Sequence, residues 1–346
     1  MTDARGSDEA VDPGDPGDPA QAAVAAYAAG HDDLVLAGAE AVELVTGLLD
    51  EAGINYLTVS GRTKSVASFA EKAVRAVDGV RLYDDPLREI GDQLGIRVIT
   101  YVRADVAAVA DVLADQVVVT DDRDLGRETA SEGRFGYASR HLQFTLDSAR
   151  EGQPGYAHLR GRNVQVQIRT VLQHAWAEFE HDIRYKGTVP PEHAHDFDRR
   201  FTLAAGLLEL ADQEFATIRD RLRGPVTQAD HLALTSDEDP RLDARELAAF
   251  LAGQYADAGW SRSDHYAWVS GLLLELGITS LDELGEVLRS TDEAAILERM
   301  DYRYPPGAVR RLDDALLATY AERYIGLHGN AHRVAALRTR LEKLLI

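Results

Sequence analysis

Apolar residues recur at helical spacing from residue 20 to residue 52, where Val35, Leu36, Ala39, Val42, Val45, Leu48 and Leu49 mark the stripe. The short apolar run INYLTVS that follows predicts a strand, and SVASFAEKAVRAV returns to helical spacing. LGIRVITYV, β-branched and bounded by Gly95, predicts another strand. DVAAVADVLAD predicts an amphipathic helix and QVVVT the next strand. GYASRHLQFTL and NVQVQIRTVL alternate as half-buried strands do, and QHAWAEFEHDIRYK runs on as a helix. This mixed order predicts α+β or α/β packing over a small sheet.

Beyond about residue 190 the spacing is helical throughout, with one long helix over about 193–222. GPVTQADHLALTSDEDP, with Pro225 and Pro240 as breakers, reads as a linker. The expected organisation is an acidic, disordered leader over 1–19 and a mixed α+β domain with its trailing helix over 20–224. A linker over 225–240 and an all-helical domain over 241–346 complete it. Pro305 and Pro306 start one of the last helices. The DHYAW and RYPP stretches of this region read as core and turn.

Composition narrows the function. Apolar residues are 45% of 346, enough for a sizeable core. Acids outnumber bases 58 to 37, and the net charge of −21 argues against a general nucleic-acid or membrane-surface binder. A local basic pocket for a small polyphosphate stays open. The absence of cysteine excludes disulfides, thiolate metal sites and a cysteine nucleophile. No apolar run approaches the ~18 residues needed to span a bilayer. The leader lacks the basic and apolar regions of a secretory signal, so a cytoplasmic location is expected.

Four clusters carry candidate chemistry. Arg62, Lys64 and Lys72, with Ser68 between them, gather bases around a helix start, where free N–H groups and the helix dipole favour phosphate. The same spacing also suits a solvated basic face. Asp92 stands before a strand, placed for a magnesium ion or for a turn. Arg97 lies inside the apolar run, where a buried guanidinium must be paired or meet a ligand. Tyr137, Ser139 and His141 share a strand face by the period of two and suit a nucleoside, or form a surface patch. Gln165, Gln167 and Arg169 form a polar row opposite Val164, Val166 and Ile168. His174, Glu178 and His181 in the next helix have metal-capable spacing that more often serves surface hydrogen bonds.

Taken in order, these segments resemble the synthetase domain of the RelA/SpoT-type (p)ppGpp synthetases. Arg62, Lys64, Ser68 and Lys72 match the family's R-x-K-x3-S-x3-K; Asp92, Gly95 and Arg97 match D-x2-G-x-R. Gly136, Tyr137, Ser139 and His141 match G-Y-x-S-x-H. Gln167, Arg169 and Thr170, followed by HAWAEFEHDIRYK, match the last element. The resemblance covers about residues 20–222 and implies an α+β fold, a nucleotidyltransferase-like mixed sheet flanked by helices, ahead of the helical region. It implies transfer of pyrophosphate from ATP to the 3′-hydroxyl of GTP or GDP, with AMP leaving, to make (p)ppGpp, the alarmone of the stringent response. Arg62, Lys64, Ser68, Lys72, Arg97 and Arg134 would bind ATP. Tyr137, Ser139, His141 and Arg169 would hold the acceptor, Tyr137 by stacking on guanine. Asp92 would bind Mg2+ and act with Gln165 and Gln167 in catalysis.

Two positions depart from the pattern. The family glutamate of E-x-Q-x-R-T is Gln165, neutral and a weaker ligand for a hard cation. The family's lysine before G-Y is Gly133, with Arg134 beside it as a substitute cation. Glu178 or Glu180 can supply the missing carboxylate if their helix packs over the site. About 60 residues precede Arg62, too few for the hydrolase domain of long family members. A small stand-alone synthetase is therefore expected, with ATP and guanine nucleotides as partners. The C-terminal helices are candidates for a homo-oligomer or protein contact. A nucleotide-binding pseudo-synthetase, and a toxin-like enzyme acting on the 3′ end of tRNA, are the alternatives.

Overall fold

The structure, a computed structural model, describes residues 18–78, 80–126, 128, 139–186, 193–222, 240–302 and 304–345. Arg134 and Tyr137, most of the leader and most of the expected linker lie outside these residues.

The first apolar stripe forms two helices, α1 (Pro19–Ala29) and α2 (His31–Glu51), parted at Gly30. Strand β1 (Tyr56–Thr63) leads to α3 (Val66–Ala73). The helix expected to run on to Val77 stops at Ala73. Ala76–Val77 and Val80–Arg81 instead pair as a short hairpin, β2 and β3, with Asp78 at φ 52° in its turn. Leu82 donates to the Arg75 carbonyl and closes the hairpin. After the short α4 (Pro86–Glu89) come β4 (Leu94–Thr100), α5 (Arg103–Gln116), β5 (Val118–Asp124) and β6 (Arg140–Thr145). The short α6 (Ser148–Glu151) precedes β7 (Val164–Thr170), α7 (Val171–Lys186) and the long α8 (Ala194–Leu222).

Among the described residues the main sheet has the order β1-β4-β7-β6-β5, with β4 and β7 parallel and the other pairs antiparallel. Its alternation follows the sequence. Leu94, Ile96, Val98, Val164, Val166, Ile168, Leu142 and Phe144 are buried with the apolar stripe of α2 and Val109, Val112 and Leu113 of α5. Gly61 lets α2 lie close on β1, since a Cβ there would sit 2.4 Å from a Val42 methyl.

The C-terminal region is helical: α9 (Ala244–Gln254), α10 (Ser263–Leu276), α11 (Leu281–Arg289), α12 (Glu293–Met300), α13 (Ala308–Tyr320), α14 (Glu322–Ile325) and α15 (Val334–Leu345). The helix after the proline pair thus begins at Ala308, with Gly307 as its N-cap. Leu247, Leu251, Leu273, Leu316 and Leu337 are fully buried in this region's own core. The region is nonetheless joined to the sheet domain: Tyr304 is buried in the first core. Gly307 donates to the Ala52 carbonyl at 3.0 Å, and Arg310 to the Glu51 carbonyl at 2.8 Å. The Arg262 guanidinium lies 4.3 Å above the Tyr56 ring. No helix among the described residues is long and apolar enough to cross a membrane.

Candidate active site

The face of the sheet turned away from α2 and α5 is polar, and the register arranges its side chains in rows. Arg62, Gly95, Gln165, Gln143 and Asp121 are successive cross-strand partners. One step along, Ser60, Arg97, Gln167, His141 and Arg123 form a second row. Arg169 follows, beside Ile99. Arg62, Arg97, Gln165, Gln167, His141 and Arg169 therefore share one surface, as the period of two requires.

Lys64, Lys72 and Asp92 stand at the end of this face. Lys64 extends the β1–β4 ladder by donating to the Gln93 carbonyl at 2.9 Å. It is not in the helix; α3 begins two residues later, capped by Ser65, whose hydroxyl accepts from the Ser68 N–H at 3.2 Å. The Ser68 hydroxyl is engaged at 3.0 Å by Ser65. Lys64 reaches one oxygen of Asp92 at 2.9 Å and Lys72 the other at 3.0 Å. Burial alone would raise the Asp92 pKa, but the two ammonium groups overcome it and hold the carboxyl below its usual range. The Tyr27 hydroxyl donates to the Lys64 carbonyl at 2.7 Å, and its ring stacks on Phe69 at 4.0 Å. Phe69 is fully buried, worth ~1.5–3 kcal/mol of apolar transfer, so the lysine strand is anchored to the core.

Helix α7 comes over the polar face because its start is fixed. Thr170 accepts from the Gln173 N–H at 3.1 Å while the Gln173 side chain accepts from the Thr170 N–H at 2.8 Å, a capping box. The Thr170 hydroxyl donates to Asp212 of α8 at 2.9 Å, and Trp176 packs against Phe201 with ring centres 5.6 Å apart. This geometry sets Glu178 3.1 Å from the Arg97 guanidinium. Arg97 is thus not a buried charge inside an apolar run: its side chain is 37% exposed and paired. His174 lies 3.6 Å from the same carboxylate. The metal-capable spacing of His174, Glu178 and His181 makes no ion cage, for no cluster of three His, Asp or Glu able to hold a metal occurs among the described residues.

Two cationic or titratable groups are tuned on the face. Burial, then the Arg169 and Arg123 charges, push His141 below the ordinary histidine value. Its Nε2 lies 2.7 Å from the Ser139 hydroxyl, which places Ser139 on the same side just before β6. Burial and the neighbouring Arg97 lower Arg169, whose buried Nε has no hydrogen-bond partner. A guanidinium N–H left without an acceptor suits an incoming phosphate. Sequence reasoning passed over Gln143 and Arg123. Their signal lay in the alternation of β5 and β6, but the register that joins them to Gln165 and His141 is set by strand pairing.

The domain model described as the region found in RelA / SpoT proteins matches residues 61–189. Over 183 residues the chain is 31% identical to GTP pyrophosphokinase YjbM of Bacillus subtilis (strain 168), spanning 50% of this chain and 76% of that protein. The crystal structure of small alarmone synthetase 1 from Bacillus subtilis superposes with a TM-score of 0.45 at 23% identity, over 57% of this chain and 98% of the other. The same synthetase bound to its product pppGpp gives a TM-score of 0.37 at 26% identity, over 48% and 80% of the two chains. With nearly a third of residues shared over three-quarters of a GTP pyrophosphokinase, the chain belongs to the RelA/SpoT family.

Proposed function

We propose that the chain is a nucleotide pyrophosphokinase that moves the β,γ-pyrophosphoryl group of ATP to the 3′-hydroxyl of GTP or GDP, yielding (p)ppGpp and AMP. The observation that carries this reading is the shared face: Arg62, Lys64, Lys72, Arg97 and Arg169 converge around Asp92, Gln167 and His141 in a chain of net charge −21. In the transfer, the acceptor oxygen bonds to the β-phosphorus as the bond from that phosphorus to the α-phosphate oxygen breaks. Little covalent chemistry is asked of the protein; positioning and charge compensation dominate.

Lys64 and Lys72 now neutralise Asp92, and polyphosphate would compete for them. Arg62, Ser68 and Arg97 complete the donor side, with Arg134 as an added cation. Arg169 offers its unpaired Nε to phosphate, while Gln167, Ser139 and His141 orient the acceptor. Asp92 fits a magnesium ion once polyphosphate draws Lys64 and Lys72 away, because its carboxyl is held below its usual range and so stays ionised. Magnesium commonly takes one or two carboxylates and completes its shell with substrate phosphates and water. When bound, the ion would neutralise charge on the phosphates. With glutamine at 165, Glu178 and the neutral imidazole of His141 are the face's candidate acceptors for the hydroxyl proton.

Gln165 favours a second reading, a nucleotide-binding pseudo-synthetase that lost turnover. Incubation with labelled ATP, magnesium and each guanine nucleotide decides between them. Guanine-dependent AMP and a 3′-pyrophosphorylated product support synthesis. Nucleotide binding without AMP supports the pseudo-synthetase. Inhibition of tRNA aminoacylation would mark the toxin-like alternative, against which the strong negative charge argues.

A further inference from the structure

The sheet domain and the C-terminal helices enclose a cleft of about 1030 Å³, walled by α2, α5 and the α6 region on one side and by α12, α13 and α15 on the other. None of the candidate active-site residues lines it. Its volume is that of a small-molecule site. Three bases, Arg299, Arg340 and Lys343, line the cleft toward the C-terminal end of α15. Arg340 and Lys343 are three positions apart on that helix and so neighbours on its surface. Arg299 donates to the Leu344 carbonyl at 2.7 Å, bringing a third cation to the same turn and offsetting the negative end of the helix dipole.

These bases are not fully used. Arg340 is 7% exposed; two of its nitrogens meet Asp313 and Asp314, but its Nε, in the cleft wall, has no hydrogen-bond partner. No carboxylate among the described residues pairs with Arg299 or Lys343. The cleft also holds acids. Asp147 is taken by Arg150 and Asp115 by the Gln116 amide; Glu51 and Asp301 also line the cleft, and neither forms an ion pair with Arg299, Arg340 or Lys343. Beside the cationic turn stand Tyr302 and Tyr304, their ring centres 5.9 Å apart and edge to face. An orphaned guanidinium N–H, two uncompensated cations and an aromatic ring supply what a phosphorylated aromatic ligand needs.

We propose that this cleft binds a nucleoside polyphosphate, with its phosphates on Arg299, Arg340 and Lys343 and its base against Tyr302. A ligand there touches both parts of the chain and stabilises their docking by mass action. The proposal does not depend on the polar face being catalytic.

The test is equilibrium dialysis of the full chain against labelled GTP, in a background of His141→Ala with Arg169→Ala, which removes two groups assigned to the acceptor nucleotide on the polar face. The cleft should retain GTP, and inorganic tripolyphosphate should displace it. Arg299 and Lys343 are exposed, so Arg299→Ala with Lys343→Ala should leave the fold intact and weaken GTP by about tenfold or more. Arg299→Lys with Lys343→Arg keeps both charges and should stay within about threefold of the background. No GTP retained in the background, or the same affinity after the double alanine change, overturns the proposal.

Discussion

Glu178 sets a carboxylate oxygen 3.1 Å from the Arg97 guanidinium, spanning from α7 to a β4 position whose parallel partner is Gln167. The chain therefore carries an acid above the row next to Gln165, where the family pattern has glutamate. Glu178→Gln should lower guanine-dependent AMP release by about 10–100-fold, the range for losing a group that orients a metal or base. Gln165→Glu should raise it, and in that background the Glu178→Gln loss should shrink. Stability should barely move, because the pair is exposed and worth about 0–1 kcal/mol at most. Equal activity for wild type and Glu178→Gln would remove Glu178 from the reaction.

His141 predicts an acid limb. Its folded pKa is depressed below the 6.5 of an ordinary histidine, by burial first and then by Arg169 and Arg123. A depressed pKa means that the unfolded chain binds the proton more tightly. The stability this gives is present above 6.5 and is lost as pH falls from there through the lower folded value. Denaturant midpoints measured from pH 7 to pH 5 should fall more steeply for wild type than for His141→Gln. Asp92 adds a separate loss at lower pH, since its carboxyl is held below the usual range and its pairing with Lys64 and Lys72 ends on protonation. Parallel pH profiles for wild type and His141→Gln would assign the limb to another group.

Much of this site was legible because it is local. Period-two alternation placed Gln165, Gln167 and Arg169 opposite Val164, Val166 and Ile168, and the burial along β7 follows it. The break of the first helical stretch at Gly30 and the hairpin after Ala73 were hidden, because both satisfy local helical spacing while tertiary pairing decides. The expected reach of α7 over the sheet was conditional on packing. A single sequence shows Thr170 and Gln173 but not the bond to Asp212 that seats the helix. The docking of the C-terminal helices had no sequence signal, since Gly307 and Tyr304 look like ordinary turn residues until Ala52 and the first core stand beside them.

That docking rests on close backbone approach. A Cβ at Gly307 would lie 2.1 Å from the Gly53 carbonyl oxygen and 2.7 Å from its carbon, backbone atoms with little freedom to yield. Gly307→Ala should destabilise the chain by about 1–3 kcal/mol, as overpacking does, and should loosen the Arg310 contact with Glu51. Urea denaturation followed by the fluorescence of Trp260 and Trp268 should show an earlier transition for the helical region. An unchanged midpoint would mean that the interface slides to accommodate the methyl group.

Tyr27 tests whether the lysine strand is positioned from the core. Burial first, with the Asp92 charge, pushes its phenol up to about 12, so it stays a donor throughout the neutral range. Tyr27→Phe keeps the ring stacked on Phe69 but removes the 2.7 Å hydrogen bond to the Lys64 carbonyl. His31 lies 3.1 Å from the same oxygen, so the carbonyl is not left bare and the stability loss should be about 0.5–1.5 kcal/mol. If Lys64 binds ATP phosphate in the ground state as well as in transfer, the KM for ATP should rise several-fold with kcat little changed. A variant with lowered stability and the wild-type KM would make Tyr27 a packing residue alone, and Lys64 would owe its position to the β1–β4 ladder.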